Sequence, residues 1–257
     1  MKSINHALVM NDNFAASAVQ QAFSEVPIAE ERLPFTVRVV RSEIALDKAV
    51  ALRQAAYARH VPAFAAKLGS PEPNDHDQDS LVLLAESRLD GSPVGTMRIQ
   101  TNRFSELAVA QSVELPAWLK NRSMAEATRL AVAQGSSGRV VKIVLCKAFY
   151  LYCLAANIEW MVIVARPPLD RQYEAALFED VYPGEFIPVR HCNNIPHRVL
   201  AFEVGTAAER WAEASHPLLK FMVQTRHPDI DLSDADVSAW SRPARRAEFS
   251  DRAAIGA

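Results

Sequence analysis

Apolar and polar residues alternate with period two through Phe35-Thr36-Val37-Arg38-Val39-Val40, the pattern of a half-buried strand. After Ser42-Glu43 the period lengthens. Ile44, Leu46, Val50, Leu52 and Tyr57 fall at helical spacing, which predicts a helix reaching about His60. Residues 62–80 are polar, hold Pro71, Pro73, Glu72, Asp75, Asp77 and Asp79, and read as a loop. Two apolar runs, 81–86 and 93–99, flank Asp90-Gly91 and predict a hairpin. In residues 104–120, Pro116-Ala117-Trp118-Leu119 suggests a short helix laid over an open sheet edge.

A strand at 125–133 then runs into Gln134-Gly135-Ser136-Ser137-Gly138-Arg139 and an apolar helix ending near 157. An uninterrupted apolar run at 159–165 predicts a strand buried on both faces. A helix at 169–182 and strands at 186–189 and 198–204 follow, and 207–223 is helical in pattern, with Trp211, Leu218, Leu219 and Phe221 at apolar positions. This alternation predicts an α/β fold with a mixed central sheet. Its core spans 35–206. An N-terminal arm, 1–34, carries a helical pattern at 14–23, and a C-terminal helical extension, 207–257, contains Ser233-Asp234 as a cap candidate and Arg242, Arg245 and Arg246 beyond it.

With 257 residues, 49% of them apolar, the chain has material for one large core. A net charge of −2 argues against a sequence-independent nucleic-acid binder, which needs a concentrated basic surface. The apolar stretch 140–157 contains Lys142 and Lys147, so it reads as a core helix and no integral membrane segment is expected. Three cysteines and no secretory leader point to a reducing, cytoplasmic compartment, with Cys146 and Cys153 as buried thiols. His191-Cys192 and His197 lack a second ligand pair at closed-site spacing, so no metal is expected.

A strand that ends in a glycine-serine turn and opens into a helix aims backbone N–H groups and the positive helix end at one point, which suits a phosphate. Arg53 followed by Tyr57, Asn74-Asp75-His76-Asp77, Val94-Gly95-Thr96-Met97-Arg98 and Glu126-Ala127-Thr128-Arg129-Leu130-Ala131-Val132 occur in this order between 35 and 204. In these motifs the chain resembles the FeeM-type N-acyl amino acid synthases and the related acyl-homoserine-lactone (autoinducer) synthases of the N-acetyltransferase-like (GNAT) superfamily.

The resemblance implies transfer of a long-chain acyl group from the phosphopantetheine thioester of acyl carrier protein, or of acyl-CoA, to the α-amine of an amino acid, with no tightly bound cofactor. It also implies that the pantetheine arm lies along the strand, contacting Ala131, Val132 and Ala133, and that the Val132 N–H meets the thioester oxygen. Gln134, Gly135, Ser136, Ser137, Gly138, Arg139 and Lys142 would receive the phosphate. Acetyl-CoA users of the superfamily tend to carry small residues where Ser137 and Arg139 stand, and bulk there suits one phosphodiester, as a carrier protein presents, with Arg139, Lys142 and Lys147 meeting acidic carrier residues.

Glu126 is either the general base for the amine or one half of an ion pair with Arg98 or Arg129. Arg53 and Tyr57, at i and i+4, either shape the acceptor entrance or are a solvated arginine beside a core tyrosine. Asp75, Asp77 and Asp79 either recognise the ammonium group or solvate a loop. Val144, Phe149, Tyr150, Leu151, Trp160 and Phe178 either line an acyl slot or pack the core. Competing functions are an autoinducer synthase and a carrier-binding protein without catalysis. Asn74 replaces an acid of the autoinducer synthases, and 61–68 lacks their tryptophan, holding only Phe64.

Overall fold

The computed structural model describes residues 28–135 and 138–235. The expected helix at 14–23, Ser136, Ser137 and the arginines at 242–246 lie outside the described residues. Strands β1 (Ala29–Glu30) and β2 (Phe35–Val39) precede helix α1 (Glu43–Ala58) and a short helix α2 (Pro62–Ala65). The hairpin is β3 (Ser80–Ser87) and β4 (Pro93–Thr101), and β5 (Met124–Val132) leads into α3 (Gly138–Ala155). Then come β6 (Trp160–Ala165), α4 (Leu169–Ala175), β7 (Glu179–Asp180), β8 (Ile187–Val189) and β9 (Ile195–Glu203). Helix α5 (Ala207–Glu213), β10 (Thr225–Arg226) and β11 (Ile230–Asp231) close the described chain.

The central sheet has the order β11-β2-β3-β4-β5-β6-β9-β7, with β8 paired to β9. Neighbours from β2 to β5 are antiparallel, whereas β5 and β6 run parallel, as the intervening α3 crossover requires. Alternation sorts the side chains. Ala125, Met161 and Ile163 face α3 in the main core with Val141, Leu145 and Phe149, while Val82 and Leu84 face α1 with Leu46, Ala49 and Val50. Gly95 permits the α3 contact: a Cβ there would lie 2.3 Å from Val141 Cγ1. Ser42 caps α1, its Oγ accepting from the Ala45 N–H at 3.3 Å.

Several expectations are corrected. The helix expected at 169–182 ends at Ala175, and Leu177 at φ 72° turns the chain into β7. The helix expected at 207–223 breaks after Glu213, with Ser215 at φ 50°, and resumes as a π-helical turn, Lys220–Gln224. Residues 62–80 are a partly helical excursion that buries Phe64, Ala65 and Leu68. The 104–120 segment covers a sheet face, not an edge, packing Leu107, Val109, Leu115 and Leu119 on Val162, Val199 and Ala201. Edge strand β11 adds to β2, and β1 pairs with β10.

Candidate active site

The central feature is an irregularity in β5. Thr96 pairs with Ala131 and Arg98 with Thr128, so two residues of β5 oppose one of β4. The extra residue is absorbed at Arg129, whose φ of 55° is left-handed, a conformation that bulges use and non-glycine residues rarely adopt. The bulge turns Arg129 onto the face that already carries Arg98, Glu126 and Thr128. Pairing of β5 with β6 ends at Ala127↔Ile163, so the rest of β5 is free of that ladder. The Ala133 N–H donates to Val94 O on β4 at 2.9 Å. The preceding N–H, of Val132, therefore faces the opposite edge. Val132 O on that edge accepts from Arg59 at 2.9 Å.

Three arginines and two carboxylates form a buried cluster on this face. Arg129 donates to both oxygens of Glu72 at 2.6 Å. Arg53 makes a two-pronged contact with Asp75, at 2.9 and 3.0 Å, and reaches Glu72 at 3.3 Å. Arg98 bridges Glu72 and Asp75, each at 3.2 Å, and its Nε donates to Thr128 Oγ1. The Arg53 and Asp75 side chains are fully buried. The reading of Arg53 as solvated is thus corrected. Burial pushes Glu72 upward, but its hydrogen bonds from Arg129 and the charges of Arg129, Arg98 and Arg53 hold it below the ordinary range. Asp75 is likewise held down, because Arg53 outweighs its burial.

Glu126 stands apart. Neither proposed ion pair forms, because Arg98 and Arg129 turn to Glu72 and Asp75. Its Oε2 accepts the Val109 N–H at 2.9 Å, and its Oε1 lies 3.3 Å from His191 Nε2. Complete burial raises its pKa to about 7, offset only in part by Val109 and the charges of Arg98 and Arg129.

The remaining candidates divide. Tyr57 meets Phe64 edge-on at 5.6 Å, and Phe64 lies under the Arg129 guanidinium at 5.1 Å, so Tyr57 borders the cluster. Asp77 is exposed and apart from it. Asp79 is buried but ties a turn, accepting from the Phe104 and Ser105 N–H groups. Gln134, Gly135 and Arg139 are exposed at the start of α3, with Gly135 at φ 144° and Gly138 opening the helix. Lys142 bonds Gln172.

Lys147 is corrected outright as a carrier contact. Its buried ammonium donates to Phe221 O and Thr225 O and meets His227 Nδ1, and burial lowers its pKa to about 8. Of the six proposed acyl-slot residues, Phe178 packs against the same core as three others, and Trp160 lies apart from them. Val144, Phe149 and Tyr150 lie in the α3 core and Trp160 packs with Trp118 on the other face. Among the described residues no group of three or more His, Cys, Asp or Glu is placed to hold a metal.

The sequence reading missed Glu72, Val109 and His191. Glu72 had a signal, an acid between two prolines and three residues before Asp75, where its N–H meets the Asp75 carboxylate.

The family model of N-acyl amino acid synthase FeeM matches residues 48–199, which span the cluster, Glu126 and the β5–α3 turn. The chain belongs to this family. Among solved structures, it is similar to FeeM, an N-acyl amino acid synthase from uncultured soil microbes, at 18% identity and a TM-score of 0.56, over 73% of this chain and 97% of that one. It is also similar to BjaI, a CoA-dependent acyl-homoserine lactone synthase solved with SAM and isopentyl-CoA, at 15% identity and a TM-score of 0.51, over 75% and 93%. No protein of curated function matches. The protein is therefore an acyltransferase enzyme on a GNAT-like α/β fold. No helix among the described residues is long and apolar enough to cross a membrane.

Proposed function

We propose that the protein transfers a long-chain fatty acyl group from a phosphopantetheine thioester to the α-amine of an amino acid, giving an N-acyl amino acid. One observation carries the choice of acceptor. The buried cluster holds three guanidinium groups against two carboxylates, and Glu126 beside it has a pKa near 7. The three guanidinium groups exceed the two carboxylates of the cluster by one positive charge, which suits the acceptor's carboxylate. Glu126, in its ionised form, takes the ammonium proton directly or through water, and the free amine attacks the thioester carbon. The C–S bond breaks to release the pantetheine thiol, which takes up the second amine proton. The freed β5 edge presents the Val132 N–H to the carbonyl oxygen as negative charge develops.

The β5–α3 turn supports the choice of donor. The start of an 18-residue helix with exposed Arg139 suits one phosphodiester. Acyl carrier protein is the donor we favour, and acyl-CoA, present in the BjaI structure, is the second. With the cysteines free, a reducing cytoplasmic setting accords with this chemistry.

The test is mass spectrometry of products formed from pooled amino acids and donors of ~8 to 16 carbons, offered as acyl carrier protein or as acyl-CoA. An acyl amino acid is the expected product. A homoserine lactone formed only with adenosylmethionine present, or no product beside intact carrier binding, would overturn the reading.

A further inference from the structure

We propose that His191 is a positioning residue for Glu126, holding the carboxylate in place to receive the proton of the acceptor's ammonium group. This rests on the reading of Glu126 as the base and extends it to a residue outside the central strands.

The two oxygens of Glu126 are treated differently. Oε2 is fixed by the Val109 N–H, from the turn Ala108–Gln111. Oε1 is buried without a hydrogen-bond partner of good geometry, as are both ring nitrogens of His191, although the Ala108 backbone lies beside both side chains. Buried polar atoms left unpaired are costly, so Oε1 and Nε2 unpaired side by side need a reason. Their positions supply one: His191 Nε2 lies 3.3 Å from Oε1. A small shift turns this approach into an N–H···O⁻ bond as Glu126 ionises, and a charged acceptor makes that bond shorter and stronger.

The surroundings keep the imidazole neutral and therefore available as a simple donor. Around it stand Glu126 and Arg129 from β5, Arg98 from β4, His197 from β9 and Cys192 on its own turn. Burial, with the charges of Arg129 and Arg98, lowers His191 to about 3. A neutral ring with its N–H on Nε2 stabilises the ionised form of Glu126 without adding a charge. The backbone holds the ring in place. His191 sits on the turn Arg190–Cys192, followed by Asn193 and Asn194, both left-handed at φ 58° and 57°. That turn is pinned at both sides, by the Arg190 N–H to Ser112 Oγ at 2.9 Å and by Lys67 Nζ to Asn193 Oδ1 at 2.7 Å.

The proton balance shows why Glu126 needs such support. An ammonium and a thioester give an amide, a thiol and one released proton in each turnover. A buried carboxyl that collects this proton must return to its ionised form every cycle, and His191 favours that form.

The experiment is the pH dependence of kcat/KM for the acceptor in the wild type and in His191→Phe, His191→Gln and Glu126→Gln. The acceptor's own ionisation is common to all four, so differences between profiles belong to the protein. His191→Phe is expected to move the acid limb upward by about one pH unit, a roughly tenfold loss on the acid side, with the KM for the acyl donor unchanged. Gln, which keeps an N–H donor, is expected to restore most of the limb. Should Phe fail to fold in a thermal melt, the smaller His191→Leu gives the same reading. An unmoved limb in the Phe or Leu variant, beside loss of turnover in Glu126→Gln, would overturn the inference about His191 alone. Wild-type turnover in Glu126→Gln would overturn the underlying reading of Glu126.

Discussion

Two groups of carboxyls share one face of the same sheet and are driven in opposite directions. Glu72 and Asp75 are locked by Arg53, Arg98 and Arg129 and held below the ordinary carboxylate range. Glu126, on the strand that supplies Arg129, accepts from the Val109 N–H, has no guanidinium partner and has a raised pKa of about 7. Burial disfavours charge in both places, and what differs is the supply of compensating guanidinium groups. The first region is therefore a rigid charged frame. The second is a carboxyl that the frame leaves underpaired, which suits the proton transfer proposed for it, so stability and the proposed function diverge within a short stretch of β5.

The widest separation comes from substituting one member of each region. Asp75→Asn strands the buried Arg53 and is expected to destabilise the fold by about 3–5 kcal/mol, read by chemical denaturation. Glu126→Gln is expected to lower turnover by roughly a hundredfold or more while the fold is retained.

The two regions should also respond to pH with opposite signs. Glu72 and Asp75, depressed in the folded state, contribute stability that is present above their unfolded values and lost as pH falls through their folded ones. Glu126 is raised from 4.5 to about 7, so the folded chain binds its proton more tightly and stability is lost as pH rises across that window. Glu126→Gln removes that loss, and at pH 8 it is expected to be more stable than wild type, by up to about 3 kcal/mol. A melt of both proteins at pH 5 and pH 8 reads the difference.

Smaller effects sharpen the contrast. Gly95→Val forces a side chain into Val141, and an expected loss of about 1–3 kcal/mol would show that the α3 contact is independent of the charged face. Asp77→Asn, two residues from Asp75 but exposed, is expected to change stability by less than about 0.5 kcal/mol and to leave turnover unaltered.

Periodicity made the sheet legible. The hairpin, β5, α3 and β6 each bury one face or both, so their apolar spacing is dictated by the core. The elements misjudged lie where the backbone departs from that logic. Leu177 and Ser215 adopt left-handed conformations that their side chains do not announce, and the two-residue strands are too short to carry a period. At the site, Arg53, Arg98, Glu126 and Arg129 stood out through their place in motifs. Their partners did not. Glu72 lies 57 positions from Arg129, and the contact exists only because the 62–80 excursion and the bulge bring them to one face. Lys147 shows the converse: a lysine expected to meet acidic carrier residues is instead met in the interior by the carbonyls of Phe221 and Thr225.

Glu126 is proposed to act as a base in an underpaired site, and the pH dependence of acyl transfer measures this most directly. Wild type should show an acid limb near pH 7, lost together with most of the turnover in a folded Glu126→Gln variant. Unchanged turnover and an unchanged limb in that variant would contradict it, and would make Glu126 a structural residue like its neighbours in the frame.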